Sequence, residues 1–229
     1  MDAADSPPEG GAVTDRIEHT VLGPTTTADD VIRVADDAID YGMRVCVPPT
    51  HVGLTAGYAP SVPVSTVVGF PHGQHTAEVK CYEAREAWED GADELDVVLN
   101  VGALESGDDE TVREELAEIV AAVPIPVKVI VEAPLLDESE KRRAAELVAD
   151  ADADFLKTAT GFSGGGATVE DVALLAEYLP VKASGGIGSW ERAAAMFEAG
   201  AERIGASSGD AIAREYLEAE GDDRTDDAY

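Results

Sequence analysis

Short, apolar, β-branched runs alternate with longer amphipathic segments along most of the chain. A short apolar run is typical of a buried strand, whereas apolar positions three and four residues apart predict a helix that buries one face. The strand candidates are 17–21, 44–47, 64–68, 94–98, 127–131, 154–158, 181–183 and 203–206. The helix candidates, most of which begin at a Thr, Ser or Asp suited to N-capping, are 27–41, 76–90, 108–122, 137–150, 168–179, 189–199 and 209–219.

This alternation predicts an α/β protein in which helices cover a parallel sheet. Eight strands is the number that closes a (β/α)8 TIM barrel. The first strand, 17–21, carries the weakest pattern, and without it a doubly wound open sheet is the alternative. Because no linker interrupts the alternation, we expect one barrel domain over 12–220. We also expect a flexible acidic segment over 1–11 before the domain and an acidic tail over 221–229 after it.

The charge of the chain narrows the possible partners. Its 229 residues include 16 basic and 47 acidic side chains, which give a formal net charge of −31. Binding to nucleic acid or to an anionic membrane through a basic patch is therefore excluded, because both need clustered Lys and Arg. Hydrophobic residues still make up 45% of the chain, so a core can form. Such a surface resembles that of proteins from very salty cytoplasm, where like charge maintains solubility.

Metal, disulfide and membrane signals are weak. The two cysteines, Cys46 and Cys81, have neither metal-binding nor disulfide spacing. His72 and His75 lack acidic or cysteine neighbours at a ligand spacing, which favours loop histidines over a metal site. We therefore expect neither a metal nor a cofactor. No apolar run approaches the roughly 20 residues of a membrane span, and the N-terminus is unlike a signal peptide, so we expect a cytoplasmic protein.

Three of the five lysines lie inside apolar strand candidates: Lys128, Lys157 and Lys182. An unpaired ammonium group in a buried strand carries a large desolvation cost, so each lysine either pairs with a carboxylate or serves chemistry. On separate strands of one barrel, their side chains can converge at its mouth. Two close ammonium groups disfavour each other's charge, and the resulting free amine can attack a carbonyl to form a Schiff base.

A carboxylate that moves protons would complete such a site. Asp96 lies in the apolar run 94–98, where alternation puts it on the same side as Glu94. The alternative is a structural aspartate that neutralises a neighbouring lysine, and one residue can fill both roles.

Two glycine-rich loops follow the last two strand candidates, at 184–189 and 205–209. Backbone amides, serine hydroxyls and helix N-termini form anion sites, and barrels often bind phosphate after strands seven and eight. Tight turns are the alternative explanation for the glycines. A third loop, 161–168, follows the strand of Lys157 and is either a further part of a phosphate site or a mobile flap.

These motifs, in order from about residue 16 to residue 208, resemble the deoxyribose-phosphate aldolase family. The segments that carry the resemblance are Glu18-His19-Thr20, Val67-Val68-Gly69-Phe70-Pro71-His72-Gly73, Glu94-Leu95-Asp96-Val97-Val98, Val127-Lys128-Val129-Ile130-Val131-Glu132, Lys157-Thr158-Ala159-Thr160-Gly161-Phe162, Lys182-Ala183-Ser184-Gly185-Gly186 and Arg203-Ile204-Gly205-Ala206-Ser207-Ser208.

The resemblance implies a Schiff-base barrel that reversibly cleaves 2-deoxy-D-ribose 5-phosphate to acetaldehyde and D-glyceraldehyde 3-phosphate. It implies that Lys157 forms the Schiff base, that Lys182 lowers its pKa and relays protons, and that Asp96 activates a water for proton transfer. Lys128 and Thr158 would have supporting roles. The phosphate would lie among Gly161, Gly185, Gly186, Gly205, Ser207 and Ser208. The resemblance also implies a homo-oligomer.

The chain departs from the family pattern at two positions, because family members commonly have Asp at the position of Glu18 and often lysine at that of Gly23. Two other functions remain open at this point. One is an aldolase acting on another phosphorylated sugar, or an isomerase on the same barrel, since a fold alone does not fix a reaction. The other is a sugar-phosphate binder without catalysis.

Overall fold

Eight parallel strands close into a barrel in sequence order in a computed structural model that describes residues 13–226. The strands are β1 Ile17–Thr20, β2 Arg44–Val47, β3 Val64–Val68, β4 Glu94–Val98, β5 Val127–Ile130, β6 Phe155–Lys157, β7 Val181–Ser184 and β8 Ala201–Ala206. The first strand pairs with both β2 and β8, with Glu18 opposite Arg44 and Ile17 opposite Ile204. The predicted (β/α)8 TIM barrel is therefore confirmed, and the open-sheet alternative is wrong.

Helices cover the outside of the barrel, with α3 packed against α5 and α8 against α9 and β8. They are α1 Ala28–Tyr41, α2 Val52–Tyr58, α3 Ala77–Glu89, α4 Val101–Glu105, α5 Asp109–Ala122, α6 Glu138–Asp150, α7 Val169–Leu175, α8 Trp190–Glu198 and α9 Gly209–Asp226. Within the described residues, no helix is both long and apolar enough to cross a membrane.

Side chains at the helix ends explain where several helices begin. The Thr27 hydroxyl accepts the amide of Asp30, whose carboxylate accepts the amide of Thr27, and Asp137 and Glu140 form the same capping box at α6. Each box satisfies amides that the first turn leaves without partners. The N-caps predicted from the sequence are thus present at these helices.

Two short helices and several boundaries differ from the sequence prediction. No helix was predicted between β2 and β3, where α2 lies, nor at α4. Gly53 and Gly57 are poor helix formers, and seven residues are too few for a periodic signal. Helix α7 ends at Leu175 rather than 179, while α9 runs past the expected end at 219. The expected segment 1–11 and residues 227–229 of the expected acidic tail lie outside the described residues, while α9 continues through 221–226. The domain boundaries stay predictions.

The core lies between the outer face of the barrel and the helices. Leu95, Val97 and Val129 are fully buried in it. Residues that alternate with them along β4 and β5, such as Asp96 and Lys128, face the barrel interior instead. Barrel interiors are usually filled by branched apolar side chains. Here the interior contains charged groups, and these define the candidate site.

Candidate active site

Charged side chains from five strands meet inside the barrel. Asp96, Lys128 and Lys182 are fully buried, Glu18 is also fully buried, and Lys157 is 3% exposed. They come from β4, β5, β7, β1 and β6, respectively. The register of the sheet brings them together, because Asp96 is opposite Lys128 and Lys157 is opposite Lys182 on neighbouring strands.

Asp96 is the centre of this cluster. Its Oδ2 accepts hydrogen bonds from Lys157 Nζ at 2.8 Å and from Lys182 Nζ at 2.6 Å. Its Oδ1 accepts from Lys128 Nζ at 3.1 Å. The two lysine nitrogens that share Oδ2 are therefore neighbours, as the sequence analysis expected of lysines on separate strands. These contacts are compatible with both hypotheses for Asp96 and the lysines, structural ion pairing and a role in the chemistry, since each lysine is also paired with a carboxylate.

A second layer of charges lies deeper in the barrel. Lys128 Nζ forms an ion pair with Glu94 Oε2 at 2.6 Å and donates to Ser65 Oγ at 3.2 Å. Glu94 Oε1 in turn forms an ion pair with Arg44 Nη1 at 3.1 Å. Positive and negative groups thus alternate from the amino end of the barrel toward Lys157, so each buried charge has an opposite neighbour, as burial requires.

Glu18, which stands where the family commonly has Asp, belongs to the same cluster. Its Oε2 accepts a short hydrogen bond from Lys182 Nζ, and its Oε1 lies 3.7 Å from Lys128 Nζ. The longer glutamate side chain therefore contacts two of the three buried lysines.

The carboxylates change the electrostatics expected from the lysines alone. Burial disfavours a charged Lys182, but Asp96 and Glu18 outweigh burial and raise the pKa of Lys182. The pKa of Lys128 is raised for the same reasons. Burial would raise the pKa of Asp96, yet the attraction of the neighbouring buried lysines holds that pKa well below its usual value. Repulsion between ammonium groups alone therefore does not describe the charge states of these lysines, because the neighbouring carboxylates keep Lys128 and Lys182 as stable ammonium ions.

A cavity of about 380 Å³ opens above this cluster, at the carboxyl ends of the strands. Lys157 lines it, whereas Lys182 and Asp96 lie beneath it. All six residues that the resemblance assigned to phosphate also line it: Gly161, Gly185, Gly186, Gly205, Ser207 and Ser208. The reactive-lysine candidate and the phosphate-site candidates therefore share one cavity.

At two of these positions, close packing in the structure explains why the residue is glycine. A Cβ on Gly205 would lie 2.9 Å from Lys182 Cε, so its missing side chain makes room for the buried lysine. Gly185 has φ +95°, and a Cβ there would lie 2.8 Å from the Gly166 Cα. Loop 161–168 thus packs against the β7–α8 loop, with the Ala167 amide donating to the Gly185 carbonyl at 3.0 Å.

Other residues act as supports. The buried Thr158 donates through Oγ1 to the Ser184 carbonyl at 2.9 Å and accepts the Ser184 amide at 2.9 Å, which joins the ends of β6 and β7. His19 Nδ1 accepts the Gly209 amide at 3.2 Å at the start of α9. These contacts fix the ends of β6 and β7 and the start of α9, and the supporting role of Thr158 stays a prediction.

Cys46 lies beside the cluster, with its Sγ 3.9 Å from Asp96 Oδ2. Burial raises the pKa of this thiol to about 11. The thiol therefore remains protonated at neutral pH, and a thiolate ligand or nucleophile is disfavoured. Glu18, Cys46 and Asp96 have ligand-type atoms within 4.8 Å of one another, but lysine ammonium groups already neutralise the two carboxylates.

Several further residues line the cavity that were not predicted individually, although the glycine-rich loops that contain most of them were. They are Thr20, Leu22, Thr160, Phe162, Ser184, Ile187, Gly188 and Ala206. Phe162 also meets Phe70 edge-to-face, with ring centroids 5.2 Å apart, so an apolar contact joins the β6–α7 loop to the β3–α3 loop. Most of these residues are adjacent in sequence to the predicted phosphate-site glycines, but adjacency in sequence does not show which side chains face the cavity.

A cavity at the carboxyl ends of eight parallel strands, above a buried lysine–carboxylate cluster, is the arrangement of a (β/α)8-barrel enzyme. A family model described as "DeoC/LacD family aldolase" matches residues 17–216. The chain belongs to this aldolase family and is a carbon–carbon lyase.

Relatives and solved structures agree with that membership. A deoxyribose-phosphate aldolase from Haloarcula marismortui is 63% identical over 204 residues, which cover 89% of this chain and 88% of that protein. A structure titled "QR15, an Aldolase" has a TM-score of 0.88 at 43% identity and covers 91% of this chain and 97% of its own. A tetrameric deoxyribose phosphate aldolase from Aeropyrum pernix has a TM-score of 0.83 at 36% identity, covering 90% and 91%.

Proposed function

We propose that this enzyme reversibly cleaves 2-deoxy-D-ribose 5-phosphate to acetaldehyde and D-glyceraldehyde 3-phosphate through a Schiff base on Lys157. One observation carries the proposal: Lys157 is the strand lysine that reaches the cavity, and its Nζ shares Asp96 Oδ2 with Lys182. The names of the Haloarcula and Aeropyrum relatives support this choice of substrate.

The reaction begins with a free amine. Two buried carboxylates, Asp96 and Glu18, contact the fully buried ammonium groups of Lys128 and Lys182. Only the neutral form of the Lys157 amine has the lone pair that attacks a carbonyl, while Lys128 and Lys182 stay paired with these carboxylates as ammonium groups. The Lys157 amine then attacks C1 of the open-chain sugar, and loss of water gives a protonated Schiff base.

The Schiff base accepts the electrons of the bond that breaks. The hydroxyl at C3 loses its proton, the C2–C3 bond breaks, and its electron pair moves toward the Schiff-base nitrogen. D-Glyceraldehyde 3-phosphate leaves, and an enamine remains on Lys157. Protonation of the enamine at C2, followed by addition of water, releases acetaldehyde and restores the amine. Asp96 and Lys182 lie next to the reacting nitrogen, and we assign them the proton transfers, Asp96 through a water molecule.

The phosphate end of the substrate would lie over the glycine loops. Ser207 and Ser208 immediately precede α9, and Gly185 and Gly186 lie a few residues before Ser189, the N-cap of α8. Amides near helix N-termini favour anions. In a chain of net charge −31, such local dipoles offset the repulsion that the whole protein exerts on a phosphate.

Borohydride trapping tests this proposal directly. Reduction in the presence of acetaldehyde or deoxyribose 5-phosphate should fix an adduct that peptide mapping places on Lys157. Lys157→Leu should abolish both the adduct and the cleavage. Lys141→Leu is the matched control, because Lys141 pairs with Asp171 outside the cavity and should not matter for labelling. An adduct on a different lysine, or turnover by Lys157→Leu, would refute the assignment.

A substrate comparison tests the sugar. Cleavage of deoxyribose 5-phosphate should exceed cleavage of fructose phosphates by orders of magnitude. The reverse order, with the adduct still on Lys157, would keep the chemistry and replace the substrate. Binding of sugar phosphates without any adduct would instead favour a non-catalytic binder.

We also propose a homo-oligomer, which the tetrameric Aeropyrum pernix relative supports. Light scattering in molar KCl should give a mass that is a multiple of 23.9 kDa, and a monomer would contradict this proposal.

A further inference from the structure

Glu132 has an unusual backbone conformation next to the candidate site. It follows β5 and adopts φ 56° and ψ 51°, the left-handed region that favours glycine. A non-glycine residue in this region is strained, and such residues concentrate at functional sites. Glu132 is also only 2% exposed. Neither its strain nor its burial is explained by the lysine–carboxylate cluster, to which it does not belong.

The carboxylate of Glu132 holds the loop that follows Lys157. The amide of Thr160 donates to both of its oxygens, at 3.2 and 3.3 Å. Thr160 Oγ1 in turn accepts the amide of Phe162 at 3.1 Å. Thr160 and Phe162 line the cavity together with Gly161. One buried carboxylate therefore fixes the first turn of the cavity wall, three residues after Lys157.

The left-handed turn is what brings this carboxylate to the loop. Backbone contacts join the two segments on either side of Glu132: the Val131 amide donates to the Lys157 carbonyl at 3.0 Å, and the Ala133 amide to the Thr158 carbonyl at 2.8 Å. Beyond Thr158, the Thr160 amide donates to the Glu132 side chain, and Gly165 packs against Pro134 further along the loop. On the other side, Ser184 Oγ donates to the Ala159 carbonyl at 2.6 Å.

We propose that Glu132 is a positioning residue, which fixes the 160–162 wall of the cavity against Lys157 and thereby sets the affinity for the phosphorylated end of the substrate. This inference rests on the proposed function. Its chemistry predicts a split between two measurements. In the proposed function the 160–162 wall would contact the sugar phosphate, because Thr160, Gly161 and Phe162 line the cavity. The amine of Lys157 is instead held by Asp96, so the wall should matter less for the small, unphosphorylated acetaldehyde.

The central variant is Glu132→Gly, which removes the carboxylate and relieves the left-handed strain. We expect KM for deoxyribose 5-phosphate to rise by about tenfold or more, the size expected for loss of a hydrogen bond to a charged group. The rate of borohydride-trapped adduct formation with acetaldehyde should stay within about threefold of the parent, and the melting temperature should not fall.

Asp152→Gly is the matched control. Asp152 is also a non-glycine residue in the left-handed region, with φ 58°, but it is exposed in the turn before β6, at the other end of the barrel. It should gain stability and keep the parental KM. Glu132→Gln, which keeps an oxygen acceptor, should give a KM between those of the parent and Glu132→Gly. If Glu132→Gly does not fold, Glu132→Asn replaces it, because asparagine tolerates the left-handed region and its shorter amide does not reach Thr160.

An unchanged KM in Glu132→Gly or Glu132→Asn would overturn the proposal. A joint loss of stability, KM and acetaldehyde adduct would overturn it as well, since that pattern belongs to a purely structural residue. Failure of the proposed function is recognised separately, because the parent enzyme itself would then form no adduct on Lys157.

Discussion

Replacing Gly205 with alanine tests whether the placement of Lys182 controls the reaction. A Cβ at this position would lie 2.9 Å from Lys182 Cε and 3.2 Å from Ser184 Cβ. Carbon atoms normally approach to about 3.5–4.0 Å, so the lysine has to move by roughly 0.6–1 Å. Its Nζ now lies 2.6 Å from Asp96 Oδ2. A shift of that size along the bond stretches it to about 3.2–3.6 Å, at or beyond the upper end of the usual range for an N–H···O hydrogen bond.

The expected loss follows from these distances. A hydrogen bond between charged groups contributes about 1.5–3 kcal/mol, which corresponds to a fall of roughly 10- to 150-fold in kcat/KM if the bond acts in the transition state. Overpacking should also lower the free energy of unfolding by about 1–3 kcal/mol. Steady-state cleavage of deoxyribose 5-phosphate and urea unfolding, both in molar KCl, measure the two effects.

Gly57→Ala is the matched control for the added methyl group. Gly57 lies in α2, and apart from its chain neighbours and its own helix backbone no atom of the described residues lies within 4 Å of the added Cβ. Activity should therefore be unchanged, and stability should rise by about 0.5–1 kcal/mol. If Gly205→Ala cleaves the sugar within about twofold of the parent rate, the reasoning that links Lys182 placement to catalysis is wrong.

Three further predictions concern stability. Lys80 is fully buried and donates to Glu115 Oε1 at 2.6 Å, so Lys80→Met should lower the free energy of unfolding in urea by about 3–5 kcal/mol, because it leaves the Glu115 carboxylate unpaired. Adding Glu115→Leu should restore most of this free energy, and an equal loss in the double variant would contradict the prediction. Because the pKa of Asp96 is lowered in the folded protein, the Asp96 carboxylate stabilises the fold at pH values above its usual pKa of 3.8, and this stabilisation is lost as the pH falls below 3.8. The difference in the free energy of unfolding between the parent and Asp96→Asn, measured by urea titration, should therefore shrink below pH 3.8, and a difference independent of pH would contradict this prediction. Finally, the net charge of −31 predicts that the melting temperature rises from dilute buffer to molar KCl, where the screening length falls to about 3 Å, whereas full stability without salt would show that self-repulsion is unimportant.

Local patterns were sufficient to predict the barrel and to single out the strand lysines and Asp96, whereas the individual phosphate-site residues and the residue roles came from the family resemblance. Strand and helix periodicities depend on a few neighbouring residues, and each is readable without knowing the rest of the fold. Lysines inside apolar strands were visible for the same reason, as was Asp96 within β4. The short helix α2 was missed because two glycines in seven residues leave little periodic signal.

Contacts across the barrel depend instead on closure and register, which bring together residues far apart in the chain. That Lys157 and Lys182 share one oxygen of Asp96, and that Lys157 rather than Lys182 reaches the cavity, follows from how eight strands are staggered. The hydrogen bond between Glu132 and Thr160 also depends on the tertiary structure, since it requires a left-handed backbone conformation that a glutamate in the sequence does not predict. Residue types and their order along the chain limit which chemistry is possible, whereas distances between strands decide which groups act together.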